Sequence, residues 1–264
     1  MVMSGGSRGI GLAIALAAAR RGANIALLAK TTTPDPRLPG TIHTAAAEIE
    51  AAGGRALPVV GDVRSTADVE RLVDQAVQKF GGIDMVVNNA SAISLAGTLD
   101  LEPKRFHLMQ EVNVRGTWSL TRSALPYLLK GAAPQVLTLS PPLNLRPHWL
   151  GVHPAYTVSK YGMTLLTLGW AEEFAGRGIG FNCLWPQTLI NTAAVRNIVS
   201  GDGSGQGARS PEIMAEAAML ILDRDAAFTG RCEIDAEVLA EHGFTDLSRF
   251  GGGASPRLDL FVDE

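Results

Sequence analysis

Cysteine is nearly absent: Cys183 and Cys232 are the only two in 264 residues, and both sit in apolar stretches. A disulfide framework is therefore not expected, and a reducing, cytoplasmic setting is. No apolar run approaches the roughly 18 residues needed to cross a bilayer, so no membrane insertion is expected. A glycine-rich loop begins at the fourth residue, leaving no room for the charged start and apolar core of a signal peptide. The C-terminal residues carry no lipidation or peroxisomal address. An excess of positive charge is also missing. Lys and Arg number 23 against 26 Asp and Glu, and the basic residues are scattered, which argues against nucleic acid as a partner. Nothing has the His/Cys/Asp spacing of a metal site, and there is no internal repeat.

What remains is ordinary for a protein with a substantial core: 46% of residues are apolar and 19% charged. The length suits one large α/β domain spanning 1–264 better than two small ones. Short apolar runs at 24–29, 56–60, 83–87, 136–139, 180–185 and 232–234 read as strands buried on both faces. Helical patterns fill the intervals at 12–20, 44–52, 66–80, 104–129, 155–174 and 211–222. The alternation predicts βαβ units, hence a Rossmann-type doubly wound parallel sheet in three α/β/α layers. Ser65 or Thr66 can cap the third helix, and Gly22, Gly53 and Gly81 stand where helices should stop. Irregular segments are expected at 31–40, 141–154 and 197–210. Only Met1, Val2 and Met3 precede the glycine loop, fewer than the five or so residues usual for a central strand. A start placed too late, rather than a stunted strand, is the favoured explanation.

The loop itself is Ser4-Gly5-Gly6-Ser7-Arg8-Gly9-Ile10-Gly11, running straight into an alanine-rich helix. Glycines allow a tight strand-to-helix turn and let backbone N–H groups approach a pyrophosphate at the helix N-terminus. Alone, such a loop can be no more than a turn; opening the first βα unit of an alternating chain makes it a dinucleotide candidate. After the second strand, where an acid would hold a ribose 2′-hydroxyl, the chain reads Ala29-Lys30-Thr31-Thr32-Thr33. Lys30 and Arg8 suit a 2′-phosphate, so NADP(H) is the expected cofactor; the alternative is two solvated surface cations. Asp62 is placed to accept from the adenine amino group, or else caps a helix. Asn88-Asn89-Ala90 would line the floor of the cleft, with Asn89 toward the cofactor, or form a plain turn.

Tyr156 and Lys160 carry the chemistry. Four residues apart on one helix, phenol and ammonium share a face. A cation beside a phenol of pKa near 10 favours phenolate, which is how a proton shuttle for alcohol–carbonyl interconversion is built. The spacing arises by chance in many helices. It gains weight from the glycine loop far upstream.

Together these residues resemble the short-chain dehydrogenase/reductase family over essentially the whole chain. The glycine loop is similar to the family's Thr-Gly-x3-Gly-x-Gly with Ser4 for Thr, and Asn88-Asn89-Ala90 to its Asn-Asn-Ala. The resemblance implies that Tyr156 is the proton donor with Lys160 its partner, and that Asn113 binds a water linking Lys160 to solvent. A narrower resemblance, to the hydroxysteroid dehydrogenase-like protein 2 branch, rests on Ala29-Lys30-Thr31, 38–42, 89–95, 140–145, Ala171-Glu172-Glu173-Phe174 and Leu184-Trp185-Pro186. Two features depart from the pattern. The family's serine column falls on Pro141, leaving Ser140, 16 residues before Tyr156, as the candidate that polarises a carbonyl or is satisfied locally. Pro-Gly becomes Pro186-Gln187, so Thr188 and Thr192 compete for the nicotinamide carboxamide, with Thr188 preferred.

The expected reaction interconverts an alcohol and a carbonyl on an apolar small molecule, steroid-like or fatty-acyl-like. Leu143, Leu145, His148, Trp149, Leu150 and Trp185 would wall its pocket, with His148 and His153 as loop residues and not catalysts. The competing reading is a cofactor-binding regulator or scaffold of the same fold with little catalysis. The resemblance implies a homodimer or homotetramer, assembled through the helices at 104–129 and 155–174.

Overall fold

The computed structural model describes residues 1–35, 40–199 and 205–263. Segment 31–40 and segment 197–210, both expected to be irregular, fall partly outside the described residues. The first βαβ units run β1 (Val2–Ser4), α1 (Gly9–Arg20), β2 (Asn24–Ala29), α2 (Ile42–Ala51), β3 (Arg55–Val60), α3 (Thr66–Phe80) and β4 (Met85–Asn88). They continue through α4 (Pro103–Met109), α5 (Gly116–Leu128), β5 (Gln135–Thr138), α6 (Pro147–Val152), α7 (Pro154–Glu173) and β6 (Gly180–Trp185). The last elements are α8 (Glu212–Leu222), β7 (Arg231–Ile234) and α9 (Asp235–Glu241).

All seven strands are parallel, in the order β3-β2-β1-β4-β5-β6-β7. The expected doubly wound fold is therefore present. Strand β1 is as short as the sequence indicates, yet its three residues pair in register with both β2 and β4. Met1 extends this pairing: its ammonium donates to the Asn24 carbonyl and its own carbonyl accepts from Ala26 N–H.

Each strand sends side chains alternately to the two faces. Met3, Leu27, Val87, Leu137 and Leu184 pack against α1, α2 and α8. Val2, Leu28, Val86, Val136 and Phe181 pack against α3, α5 and Trp170 of α7. Each fully buried Leu, Ile or Phe removes enough apolar surface from water to contribute about 1.5–3 kcal/mol. The helix ends follow local chemistry. Ser65 accepts from Asp68 N–H at the start of α3, and Gly81 ends it in the left-handed conformation. Thr41 and Thr44 form a reciprocal cap at the start of α2.

Three expectations need correction. The long helix expected at 104–129 runs without interruption over 103–128, but residues Gln110–Arg115 widen into a π-helical turn between α4 and α5. The amide of Asn113, inside that turn, reaches out to the chain after β4 and to α7. The widened turn accompanies this reach. The loop expected at 141–154 contains α6, with Pro147 in its first turn where a missing N–H costs nothing. Helix α9, directly after β7, was not expected because so short a segment shows little periodicity.

Candidate functional site

Strand order reverses between β1 and β4, and the crevice outside their C-terminal ends is where open α/β sheets take ligands. The glycine loop lies there, followed by α1. Its first-turn N–H groups have no side-chain cap and no acidic residue beside them, which suits a pyrophosphate. Gly5 and Gly9 adopt positive φ, +74° and +56°. Gly11 is dictated by crowding, since a Cβ there would lie 2.5 Å from both the Asn89 amide nitrogen and the Gly5 carbonyl. Ser7 is buried within the loop, whereas Ile10 is half-buried and packs on the α1 core. Gly6 faces the Met3 side chain.

Asn89 does not lie open on the cleft floor. Its side-chain amide donates to the Gly5 carbonyl at 2.7 Å and so braces the loop from below, while Ser4 Oγ accepts from Ala90 N–H at 3.1 Å. The next asparagine, Asn88, is buried and donates to Thr121 Oγ1 at 2.9 Å. These polar contacts join the ends of β1 and β4.

At the other end of the crevice, Arg8 donates to the Gly40 carbonyl at 3.0 Å, and Lys30 extends into solvent with 69% of its side chain exposed. The expected adenine acceptor, Asp62, is already engaged. Arg64 donates to both of its carboxylate oxygens, and Lys30 stands 3.8 Å away. The bonds from Arg64 hold the Asp62 carboxyl down at about 2, so it is ionised throughout the neutral range. An adenine amino group would have to share that carboxylate with Arg64.

Of the two threonines, Thr192 is the one at the loop: its methyl lies 3.2 Å from where a Gly9 Cβ would be. Thr188, the preferred candidate from sequence, is buried under the C-terminal segment, bridged to Leu258, and its hydroxyl has no partner.

Tyr156 and Lys160 sit in the first half of α7, which Pro154 opens. Both are enclosed, at 5% and 2% exposure. The Lys160 ammonium donates to the Leu139 carbonyl at 2.5 Å and lies 4.9 Å from the centre of the Trp185 ring. Burial lowers its pKa to about 7. Burial also raises the Tyr156 phenol, with the Asp259 carboxyl adding to the effect. The expected depression of the phenol by the ammonium is therefore not what this arrangement produces. Loss of solvation and the nearby Asp259 carboxyl push the phenol further toward its neutral form.

Ser140 is fully buried just past β5, with its hydroxyl near the Cys183 thiol and without an oxygen or nitrogen partner. Asn113 spends its amide on Ala92 N–H, the Ala92 carbonyl and Ser159 Oγ, at 2.7, 3.0 and 2.9 Å. Its side chain ties the segment after β4 to α7, one residue from Lys160. Of the expected pocket walls, Leu143, Trp149 and Trp185 join one apolar cluster with Tyr156. Leu145, His148 and Leu150 turn outward to solvent.

The sequence reading missed the segment that covers this cluster. Residues 257–263 cross the site, with Asp259 N–H donating to the Gln187 carbonyl and Trp185 Nε1 donating to the Leu260 carbonyl. Asp263 accepts from Asn144 at 2.6 Å and from Trp149 at 3.0 Å. Phe261 enters the cluster among Tyr156, Tyr161, Trp149 and Trp185. Burial, beside Asp235, raises the Asp259 carboxyl to about 7. An apolar run at Leu258, Leu260, Phe261 and Val262 was the available signal, but nothing local says what it covers.

A glycine turn at the switch point, braced by asparagine, with a buried Tyr–Lys pair across the crevice, defines a Rossmann-type α/β protein built to hold a dinucleotide. The profile of the short chain dehydrogenase family matches residues 1–203, and the chain belongs to the short-chain dehydrogenase/reductase family. It is 52% identical over 263 residues to hydroxysteroid dehydrogenase-like protein 2 of Danio rerio, covering 99% of this chain and 63% of that protein. The human protein of the same name is 49% identical over 264 residues, with coverages of 99% and 63%. The chain thus spans somewhat less than two thirds of the length of these relatives. Among solved structures, a short chain dehydrogenase of Mycobacterium thermoresistibile superposes with a TM-score of 0.94 at 49% identity, covering 100% of this chain and 95% of the other. Among the described residues, no helix is long and apolar enough to cross a membrane and no group of side chains could hold a metal ion.

Proposed function

We propose that the chain is an NADP(H)-dependent oxidoreductase that interconverts an alcohol and a carbonyl on an apolar small molecule, with Tyr156 as the acid/base. The observation that carries this reading is the enclosed Tyr156–Lys160 pair at the C-terminal edge of the sheet, within an apolar cluster of aromatic side chains. When bound, the cofactor supplies or accepts a hydride; the protein supplies everything else. The α1 N-terminus and the loop from Gly5 to Gly11 hold the pyrophosphate, and Arg8 and Lys30 meet the 2′-phosphate. Thr192 serves the carboxamide side. In the reducing direction the neutral phenol, pushed up by burial, donates its proton to the substrate oxygen, and the Lys160 ammonium, lowered to about 7, stabilises the phenolate left behind. The Ser140 hydroxyl, buried and without an oxygen or nitrogen partner, is available to a carbonyl oxygen.

The free Cys183 and Cys232 accord with a reducing, cytoplasmic setting. Exposed Trp118 on α5 and Val158 and Leu165 on α7 support a homodimer or homotetramer formed through those helices. Titration with NADPH and with NADH, followed by nicotinamide fluorescence, tests the cofactor. Tight NADPH binding with weak NADH binding supports the reading, and equal or reversed affinities overturn the 2′-phosphate assignment. A second reading, a cofactor-binding protein with little catalysis, is favoured by the Phe261 ring over Tyr156. NADPH binding without turnover on any of a panel of carbonyl compounds would establish it.

A further inference from the structure

Phe261 is the one non-glycine residue among those described with a left-handed backbone, at φ 71°. That conformation costs an L-residue roughly 1–2 kcal/mol, and a bulky side chain tolerates it least. The ring is nevertheless 3% exposed, because four other rings surround it. Its centre lies 5.2 Å from Tyr161, 5.7 Å from Trp149, 6.1 Å from Trp185 and 6.3 Å from Tyr156, the last nearly parallel at 25°. A strained residue persists where its surroundings over-determine it, and here the surroundings are a phenyl-sized socket beside the phenol that moves the proton. Residues 257–260 are held by backbone hydrogen bonds to Leu189, Gly207 and Gln187 and by the Trp185 indole, whereas residues 261–263, around the ring, are tied to one loop. Asn144 donates to the Phe261 carbonyl and to Asp263, Trp149 donates to Asp263, and Arg146 pairs with Asp263 at 3.2 Å. With the segment in place, only 5% of Tyr156 is exposed.

We propose that the socket filled by Phe261 is the substrate's apolar subsite. A carbonyl compound carrying a phenyl-sized ring next to the reacting carbon displaces the 257–263 segment and takes the place of the ring. The proposal rests on the reading of Tyr156 as the proton donor and adds the substrate class and the gate. Three features make exchange feasible: the anchors of residues 261–263 face half-exposed loop residues, release of Phe261 relieves its backbone strain, and a substrate ring restores the aromatic contacts that Phe261 gives up. Flat apolar groups fit between Tyr156 and Trp185 better than linear chains, which would leave the faces of four rings in part uncovered.

Acetophenone is the probe, with the full chain and its Phe261→Ala and Phe261→Leu variants. Binding is read from the fluorescence of Trp149 and Trp185, and NADPH affinity is measured on the same proteins. Expected is about tenfold tighter acetophenone binding in Phe261→Ala than in the unaltered chain, a smaller gain in Phe261→Leu, and NADPH affinity unchanged. In the unaltered chain, acetophenone should also speed tryptic cleavage after the exposed Arg257, followed by mass. Weaker or unchanged acetophenone binding in Phe261→Ala would make the ring a fixed wall of the pocket and overturn the proposal. If Phe261→Ala does not fold, the Phe261→Leu titration and the cleavage experiment decide: unchanged affinity, or protection of Arg257 by acetophenone, overturns it. Loss of NADPH binding or turnover with these effects intact would instead remove the oxidoreductase reading and leave the socket standing.

Discussion

Lys160 donates its ammonium proton to the Leu139 carbonyl at the end of β5, and the same ammonium lies over the face of Trp185 at the end of β6. One side chain from α7 thereby spans two strand ends. A cation in so enclosed a place is held by a carbonyl and an aromatic face, and its proton is bound less firmly than in water.

That setting predicts an unusual pH profile of stability. Lys160 falls from 10.5 to about 7 on folding, so the unfolded chain binds the proton better and stability rises from about pH 7 toward 10.5. Asp259 goes the other way, from 3.8 to about 7. Its contribution is fully present below 3.8 and is lost as pH rises through 7. Asp259→Asn should therefore raise Tm at pH 8 relative to the unaltered chain and do much less at pH 4. Thermal melts at the two pH values check this; equal shifts at both would refute it.

Replacing Tyr156 with Phe removes the proposed proton donor and little volume. Turnover of a reducible carbonyl should fall by about 100-fold or more, while NADPH affinity stays within about twofold. Steady-state rates alongside cofactor titration separate the two effects, and surviving activity would mean that another group moves the proton.

Lys30→Ala and Arg8→Ala probe the other end of the crevice. Each removes one cation from the expected 2′-phosphate and should weaken NADPH binding by about tenfold, with NADH affinity nearly unchanged. The ratio of the two dissociation constants is the measurement, and an equal loss for both cofactors would show the side chains to be structural.

Gly11→Ala tests whether the loop is fixed by packing. A Cβ 2.5 Å from the Asn89 amide and the Gly5 carbonyl forces the turn apart. Overpacking of this kind costs about 1–3 kcal/mol. Melting temperature and NADPH affinity should fall together. A variant with full stability and full affinity would show that the loop relaxes around the methyl group.

The glycine loop, the alternating strands and helices, and the Tyr156–Lys160 spacing were legible because each is a local pattern: tight turns need glycine, buried parallel strands need apolar runs, and helix faces repeat every four residues. Local rules also placed α3 at Thr66–Phe80, where a serine cap and a terminal glycine bracket an amphipathic run. Contacts between distant segments were beyond their reach. Nothing near Asn89 in sequence indicates that its amide supports Gly5, 84 positions away. Nothing near Asn113 indicates the π-helical turn from which it reaches Ala92 and Ser159. Asp62 read as an open acceptor because its engagement by Arg64 depends on a turn only the folded chain defines.

The sequence by itself determined the parallel sheet, the glycine turn at its switch point and the placing of Tyr156 and Lys160 on one helix face, since these follow from periodicity, turn chemistry and spacing along one helix. Tertiary structure alone decided the electrostatics of that pair and what lies against it. Burial, which no residue has in isolation, pushed the Tyr156 phenol up and the Lys160 ammonium down. Packing across the whole length of the chain brought Phe261 onto Tyr156, and such a contact is fixed only when the sheet has set the ends of its strands side by side.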